Sequence, residues 1–238
     1  MGFKLPKILI INPVGTDLWN DLTLQAVKEV VNPDTEVIVR SLKGAPPAIE
    51  CDYDRDLAAP HVVNEVIKAS KEGFDAIIIN CFDDPGLHAA REVTDVLVLG
   101  IGETTITIAL LLGYRIAIIS TGKHSRNVYY RRAVSLGVAD RIAYTSGIDI
   151  KVLDLRKDLG KVKSMLIEEI SKAVKEYGAE VIVLGCGGFL GLAEELSEEL
   201  GIPVLDPTLT TVKVAEALIT LGLKHSKVYL FNRLKHPY

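Results

Sequence analysis

Seven short and strongly apolar segments recur along the 238-residue chain, and they constrain its fold more than any other feature. Each is rich in Ile, Val or Leu, and most are continuously apolar rather than alternating between apolar and polar residues. Segments of this kind are typical of strands buried on both faces, as in a parallel sheet covered by helices. They are 7–12, 36–40, 76–80, 96–100, 115–120, 181–185 and 203–206.

Amphipathic segments lie between these predicted strands. The segments 60–73 and 161–178 carry apolar residues at three- and four-residue spacing, and each ends at a glycine that can terminate a helix. Strands that alternate with helices indicate βαβ units, so we predict an α/β protein.

The two halves of the sequence resemble each other. The segment 7–13 is similar to 115–121, and the segment 73–81 is similar to 178–186. The separation is about 105 residues, far longer than a solenoid repeat, so two similar domains are the simpler interpretation.

We therefore predict two similar parallel-sheet α/β domains related by a pseudo-twofold axis, with the active site in the cleft between them. The first predicted domain comprises residues 1–100 together with 208–238, and the second comprises residues 101–207.

Composition and charge restrict the possible functions. Hydrophobic residues make up 48% of the chain and charged residues 24%, and the net charge of −4 provides no basic surface for nucleic acid. No apolar segment approaches the ~20 residues of a membrane-spanning helix, and the start of the chain lacks the core of a signal peptide. Three cysteines do not form a disulfide framework. We predict a cytoplasmic protein with reduced thiols and with neither a nucleic-acid nor a membrane partner.

Two of the three cysteines occupy equivalent positions in the repeat. Cys81 follows the predicted strand 76–80, and Cys186 follows 181–185. Ligands of parallel α/β sheets bind beyond the carboxyl ends of the strands, so we predict that the two thiols face each other across the cleft. A single cysteine at a strand end is usually a small buried apolar residue, but two at equivalent ends favour a function. Cys51 has no counterpart in the repeat and is interpreted as incidental.

Two opposed thiols are suited to proton transfer at carbon. One thiolate removes a proton from one face of a stereogenic carbon, and the other thiol returns a proton to the opposite face. A free thiol has a pKa of ~8.5, close enough to neutrality for both roles, and the two titrations are coupled. We predict Cys81 and Cys186 as this catalytic pair, with backbone N–H groups near Gly187 and Gly188 stabilising the substrate anion. The spacing of the cysteines predicts no metal site, and the mechanism needs no cofactor.

Polar residues at the predicted strand ends are candidates for substrate binding. Asn12 and Thr121 end corresponding strands and are predicted to line the same cleft, with capping of local turns as the alternative. Asp83 is predicted to accept a hydrogen bond from a substrate N–H.

Other polar residues near the first cysteine have structural interpretations. Asp84 is predicted to cap a helix that begins at Pro85. His88 then lies about one turn into that helix, where it either tunes Cys81 or faces solvent. Glu103 is predicted to begin the helix that follows the strand 96–100.

Three segments resemble hydantoin racemases of the aspartate/glutamate racemase superfamily. They are "CFDDPGLHAAREV" (81–93), "VLVLGIGETT" (96–105) and "VLGCGG" (183–188), and the segments 11–13 and 203–207 are similar as well. The resemblance implies two α/β domains, one catalytic cysteine in each at Cys81 and Cys186, no cofactor, and a homo-oligomer.

The sequence departs from the amino-acid racemases of that superfamily at the first cysteine. Those enzymes carry Cys-Asn-Thr, where this chain has Cys81-Phe82-Asp83. Asp83 would repel an α-carboxylate, which favours a neutral ring with amide groups such as a 5-substituted hydantoin or allantoin, with Phe82 lining the pocket for the 5-substituent. The family's opening motif Asn-Pro-Asn-Thr is also altered, because Val14 replaces its second asparagine.

We therefore predict a cofactor-independent isomerase that racemises a small molecule, and 5-substituted hydantoins match the residues best. One alternative is another enzyme on the same scaffold, either an aspartate/glutamate-type amino-acid racemase or a thiol-dependent decarboxylase. The other is a non-enzymatic module that binds a metabolite.

Overall fold

The computed structural model describes residues 5–122, 125–229 and 231–232. In this part of the chain, strands and α-helices alternate strictly, which confirms the predicted α/β class. The strands are Lys7–Asn12 (β1), Glu36–Ser41 (β2), Ala76–Ile79 (β3), Leu97–Gly100 (β4), Ile116–Ser120 (β5), Ile142–Gly147 (β6), Val181–Leu184 (β7) and Val204–Leu205 (β8). The helices are Asn20–Val30 (α1), Asp52–Ala69 (α2), Leu87–Val93 (α3), Ile101–Ala109 (α4), Ser125–Ser135 (α5), Leu159–Tyr177 (α6), Ala193–Leu200 (α7) and Pro207–Thr220 (α8).

The strands form two four-stranded sheets in which every pairing is parallel. The strand order is β2-β1-β3-β4 in the first sheet and β6-β5-β7-β8 in the second, which is the same order repeated. This confirms the prediction of two similar parallel-sheet α/β domains. The packing of the chain divides it into one compact unit made of the residues up to Gly100 and from Thr211 onward, and a second unit of Ile101–Thr210.

The central strands of each sheet are buried, as continuous apolar segments require. All four residues of β3 and all four of β7 are buried, and so are Ile8 to Ile11 in β1. The edge strand β2 differs, because its residues are exposed or only half-buried. The prediction that segment 36–40 is buried on both faces is therefore wrong: an edge strand has a neighbour on one side only.

One strand was missed by the sequence analysis. Strand β6, with the sequence IAYTSG, pairs with β5 at the edge of the second sheet. Its second half is polar, so it lacks the continuous apolar pattern that identified the other strands.

The two predicted helix ends have different outcomes. Helix α6 ends at Tyr177, and Gly178 follows in the left-handed conformation with φ 64°, as predicted. Helix α2 ends at Ala69, so the prediction that it continues to Gly73 is wrong. Gly73, with φ 79°, lies in the turn before β3.

None of the helices among residues 5–122, 125–229 and 231–232 is long and apolar enough to cross a membrane.

Candidate active site

Cys81 lies where the chain leaves the carboxyl edge of the first sheet. Asn80 N–H donates to Ile11 O at 2.8 Å, which extends the pairing of β3 with β1 by one residue. The chain then turns, because Asp84 N–H donates to Cys81 O at 2.9 Å. The half-buried Cys81 therefore begins a tight turn at the sheet edge, the position predicted for it.

The structure corrects the predicted start of the helix after this turn. Helix α3 begins at Leu87 rather than Pro85, and Gly86, with φ 70°, occupies its N-cap position. Asp84 is buried and has a φ of 44°, a left-handed conformation that is uncommon for residues other than glycine. Asp84 is therefore not the N-cap residue of α3. A Cβ atom at Gly100 would lie only 2.3 Å from Asp84 Oδ1, so the Asp84 carboxylate occupies space that a side chain at position 100 would fill.

Asn12 connects the end of β1 to two other elements of the first unit. Its Oδ1 accepts from Asn80 Nδ2 at 2.7 Å, and its Nδ2 donates to Asn20 Oδ1 at 2.8 Å. Asn20 Nδ2 donates in turn to Asp17 Oδ1 at 3.1 Å. The Asn12 side chain is buried and does not cap a local turn, so the structural alternative considered for it is wrong. It joins β1 to the residue before Cys81 and to α1.

Cys186 begins an equivalent turn in the second unit. Gly185 N–H donates to Ile119 O at 2.7 Å, and Phe189 N–H donates to Cys186 O at 3.2 Å. Residues 187–189 form a single 3₁₀ turn. Gly188 N–H donates to Cys186 Sγ at 3.3 Å, so one of the predicted backbone donors contacts the thiol itself. An N–H group directed at sulfur stabilises negative charge on that sulfur.

Ser120 and Tyr129 hold the residue before Cys186, and the sequence analysis missed both. Ser120 Oγ donates to Gly185 O at 2.6 Å, and the Tyr129 hydroxyl donates to the same oxygen at 3.0 Å. Ser120 ends β5 as Asn12 ends β1, so the last residue of the corresponding strand contacts the residue before the cysteine in both units. The signal was present in the sequence repeat, in which Ser120 rather than Thr121 aligns with Asn12.

The loop after Cys186 is held by two ionisable side chains. Arg156 Nη2 donates to Leu190 O at 2.5 Å, and Gly191 N–H donates to Asp206 Oδ2 at 3.0 Å. Leu190 O and Gly191 N belong to one peptide bond, which therefore lies between a guanidinium and a carboxyl group. Neither Arg156 nor Asp206 had been identified as a site residue.

Asp206 caps helix α8 and is buried. Its Oδ1 accepts from Thr208 N at 2.9 Å and from Leu209 N at 3.0 Å. Burial raises the pKa of the Asp206 carboxyl above its usual value, against the opposing effects of its backbone hydrogen bonds and of Arg156. Burial also lowers the pKa of Arg156, while the charges of Asp206 and Cys186 act in the opposite direction. Arg156 is linked to Cys186 through the loop, because its guanidinium is bound to Leu190 O, four residues after the thiol.

The remaining predicted binding residues have varied environments. Phe82 is only 2% exposed, and Thr121 is buried at the end of β5. Asp83 and Gly187 are half-buried within the two cysteine turns. Their contacts with a substrate stay predictions.

The residues given structural interpretations are also located. His88 is exposed and lies in the first turn of α3, which favours the solvent-facing interpretation. Glu103 is the third residue of α4, which begins at Ile101, so the prediction that Glu103 starts this helix is wrong. Cys51 is exposed at the N-cap position of α2 and donates to Asp54 Oδ2 at 3.3 Å.

None of the three cysteines forms a disulfide. Among the described residues, no group of three or more His, Cys, Asp or Glu side chains is arranged to hold a metal ion.

The fold and the two cysteine turns define a duplicated parallel α/β protein with one thiol at the carboxyl edge of each sheet. The family model for Asp/Glu/Hydantoin racemase matches residues 8–215, and the chain belongs to this family. The protein is therefore an enzyme of the isomerase class.

Three known proteins that resemble the chain are similar to it over nearly their whole length. A hydantoin racemase from Pseudomonas sp. (strain NS671) is 38% identical over 226 residues, which are 95% of this chain and 91% of that protein. The structure of an allantoin racemase from Klebsiella pneumoniae superposes with a TM-score of 0.92 at 31% identity and covers 98% of this chain and 95% of its own. The allantoin racemase from Pseudomonas fluorescens gives a TM-score of 0.93 at 28% identity, with 98% of each chain covered.

Proposed function

We propose that this protein racemises 5-substituted hydantoins, a class that includes allantoin, through a pair of cysteines. The observation that carries the proposal is the repeated turn at Cys81 and Cys186. In both units the cysteine carbonyl accepts from the N–H group three residues later, at the carboxyl edge where parallel sheets bind ligands. Relatives that are named as hydantoin and allantoin racemases support the substrate class.

The proton balance of the reaction needs one thiolate and one thiol. The thiolate takes the proton from C5 of the ring, and the electron pair of the broken C–H bond delocalises into the adjacent carbonyl. The opposite thiol then gives its proton to the other face of C5. After one turnover the two sulfurs have exchanged protonation states, and exchange with water restores the starting state.

Residues near each cysteine would bind the ring. Asn12 uses two hydrogen bonds within the protein, about half of the four or so that an amide side chain can make, so it retains capacity for a polar ring atom. Asp83 would accept from a ring N–H, and Thr121 and the backbone N–H group of Gly187 would contact the carbonyl that develops negative charge, while the Gly188 N–H is donated to Cys186 Sγ. Phe82 would contact the 5-substituent from within the protein interior.

The acidic turn after Cys81 favours a neutral ring over an amino acid. Asp83 and Asp84 place two carboxyl groups within three residues of the thiol. A free α-carboxylate bound here would be repelled by like charge, whereas a hydantoin offers an N–H donor. This distinguishes the proposal from amino-acid racemisation and from decarboxylation, both of which need a carboxylate substrate.

Polarimetry of optically pure 5-benzylhydantoin, 5-isopropylhydantoin and allantoin tests the proposal. We expect wild-type enzyme to abolish the optical rotation of at least one of them faster than a blank without enzyme. The blank is needed because hydantoins racemise slowly unaided. Cys81→Ser and Cys186→Ser should each reduce the rate to that of the blank. Cys51→Ser is the matched control, because it makes the same chemical change at an exposed cysteine outside both turns.

The possible outcomes separate the proposal from its alternatives. Racemisation that persists in either active-site variant would contradict the two-cysteine mechanism. Exchange of the α-hydrogen of an amino acid, without exchange of the hydantoin C5 hydrogen, would indicate an amino-acid racemase. Release of CO2 from a carboxylate substrate would indicate a decarboxylase. A metabolite-binding module would bind its ligand equally well after both thiols are alkylated.

The cellular form of the enzyme is also proposed. We expect a homo-oligomer in the cytoplasm, and light scattering coupled to size-exclusion chromatography measures its mass directly. A mass equal to the 25.9 kDa of one chain would contradict the expected oligomer.

A further inference from the structure

The charges near Cys186 favour its thiolate. Gly188 N–H donates to its sulfur at 3.3 Å, and a negative charge on Cys186 acts to raise the pKa of Arg156. The position of Arg156 is held by its hydrogen bond to Leu190 O, in the loop that follows the cysteine. Among the described residues of this unit, the Asp206 carboxyl accepts from Gly191 N–H in the same loop, and the Tyr129 phenol donates to Gly185 O, directly before the cysteine.

The surroundings of Cys81 are different. Its turn contains the carboxyl groups of Asp83 and Asp84, and Asp84 is buried. The polar side chains on the neighbouring strand ends are the neutral amides of Asn12 and Asn80. Nearby carboxylates disfavour a second negative charge, so this turn favours the protonated thiol.

We infer that the resting enzyme carries its thiolate on Cys186 and its thiol on Cys81, and that Arg156 is the positioning residue that sets this order. The inference rests on the proposed two-thiol mechanism and deepens it, because it names the sulfur that acts as base from the resting state. Coulombic attraction from a guanidinium and a hydrogen bond from a backbone N–H act on the same sulfur.

Asp206 does not cancel the effect of Arg156. Its carboxyl already accepts three backbone N–H groups, which delocalise whatever negative charge it carries. Burial raises its pKa, so the protonated form is favoured more than in water. Asp206 therefore balances the positive charge of Arg156 less than a solvent-exposed carboxylate would.

Variants with a single thiol test the assignment directly. The chain has three cysteines, so Cys51→Ser/Cys81→Ser leaves only Cys186, and Cys51→Ser/Cys186→Ser leaves only Cys81. Serine suits position 51 because it is a preferred N-cap residue. The rate of alkylation by iodoacetamide is measured from pH 5 to 10, and the midpoint of each profile reports ionisation independently of the plateau, which reports access to the thiol.

Arg156 is tested in the variant that contains only Cys186. Arg156→Gln should shift the midpoint upward and slow alkylation at pH 7 about tenfold, the effect of losing one nearby opposite charge. Arg156→Lys keeps the charge and should restore most of the rate. Arg141→Gln is the matched control, because Arg141 also donates to backbone carbonyls in the same unit, those of Tyr114 and Gly113, and precedes the amino end of β6. Circular dichroism verifies that each variant is folded.

The expected result is a lower midpoint for Cys186 than for Cys81, an upward shift with Arg156→Gln, and no shift with Arg141→Gln. Equal midpoints, or a lower midpoint for Cys81, would overturn the assignment. An unchanged profile in Arg156→Gln, or a profile in Arg156→Lys shifted as far as in Arg156→Gln, would overturn the role of Arg156. These readouts need no substrate, so failure of hydantoin racemisation would contradict the proposed function while leaving the thiolate assignment to be judged on its own data.

Discussion

Replacement of Gly185 by alanine is expected to distort the second unit where the chain approaches Cys186. The added Cβ would lie 2.9 Å from Ser120 Cβ and 3.2 Å from both Ile118 Cγ2 and Tyr129 Cε2. Carbon atoms in favourable contact are ~3.5–4.0 Å apart, so the new methyl group overlaps with three buried neighbours. Two of them, Ser120 and Tyr129, also hydrogen-bond to Gly185 O and cannot move without weakening those bonds.

The expected change in the free energy of unfolding follows from two opposing effects. Overpacking a buried site costs about 1–3 kcal/mol. Alanine also restricts the unfolded chain, which recovers about 0.4–1 kcal/mol. We therefore expect Gly185→Ala to lower the free energy of unfolding by about 1–2 kcal/mol.

Gly160→Ala provides a control with the opposite sign. Gly160 lies in the first turn of α6, and the nearest described atom that an added Cβ would meet outside the backbone of the helix itself is Asp158 Oδ1, at an ordinary contact distance of 3.6 Å. Alanine is favoured over glycine in a helix by up to about 1 kcal/mol, so this variant should be more stable than wild type.

Urea unfolding followed by far-ultraviolet circular dichroism measures both variants. Gly185→Ala should also change the rate at which Cys186 is alkylated, because the displaced residue precedes that thiol. The steric argument is refuted if Gly185→Ala matches the wild type in stability, or if both alanine variants change stability in the same direction.

Three further substitutions test the electrostatics and hydrogen bonding of the units. Burial raises the pKa of Glu216, but its contacts with Lys213, Thr35 and Asn32 outweigh burial and lower the pKa overall. Its stabilising contribution is therefore present above pH 4.5 and lost as the pH falls, so Glu216→Gln should cost roughly 1.5–3 kcal/mol at pH 7 in urea unfolding and less in acid. The pKa of Asp206 is raised by burial, so its contribution is present below pH 3.8 and lost as the pH rises through the folded value. Wild type should consequently lose stability relative to Asp206→Asn as the pH is raised from 3 to 7, and a parallel pH dependence of the two proteins would contradict this. Asn80→Ala removes the donor to the buried Asn12 Oδ1 and should lower the free energy of unfolding by about 1–3 kcal/mol; a change smaller than 0.5 kcal/mol, roughly the size of a surface substitution, would show that this bond contributes little.

The fold was predictable because parallel strands buried on both faces leave a direct record in the sequence. All seven continuous apolar segments became strands, since residues such as Ile8 to Ile11 have helices or neighbouring strands on every side. The duplication was equally visible, because repeated segments produced repeated strand orders. Strand β6 was missed because Thr145 and Ser146 interrupt the apolar pattern. The buried Thr145 fits this strand because its hydroxyl donates to Arg126 O at 2.7 Å.

The details of the cysteine turns were less predictable. An Asp-Pro pair is typical of a helix start, yet the hydrogen bond from Asp84 N–H to Cys81 O commits Asp84 to the turn and delays α3 until Leu87. The space that accepts the Asp84 carboxylate is created by Gly100, a contact between residues far apart in sequence. Arg156 is another long-range case, because its relation to Cys186 depends on how the segment before α6 packs against the loop after β7.

The two units repeat their backbone more faithfully than their charges, and the proposed chemistry explains why. Backbone hydrogen bonds determine where each chain leaves its sheet: Asn80 N–H to Ile11 O at 2.8 Å in one unit, and Gly185 N–H to Ile119 O at 2.7 Å in the other. The two thiols can therefore occupy equivalent positions in their units, whichever side chains follow them in the sequence. A catalytic pair, however, needs one ionised sulfur and one protonated sulfur at the same time. Identical surroundings would make the two arrangements of that single proton equal in energy. The turn at Cys81 contains two carboxyl groups, whereas the turn at Cys186 is rich in glycine and is bound by Arg156. This difference makes the two arrangements of the proton unequal in energy, so the side chains differ between the units where the backbone does not.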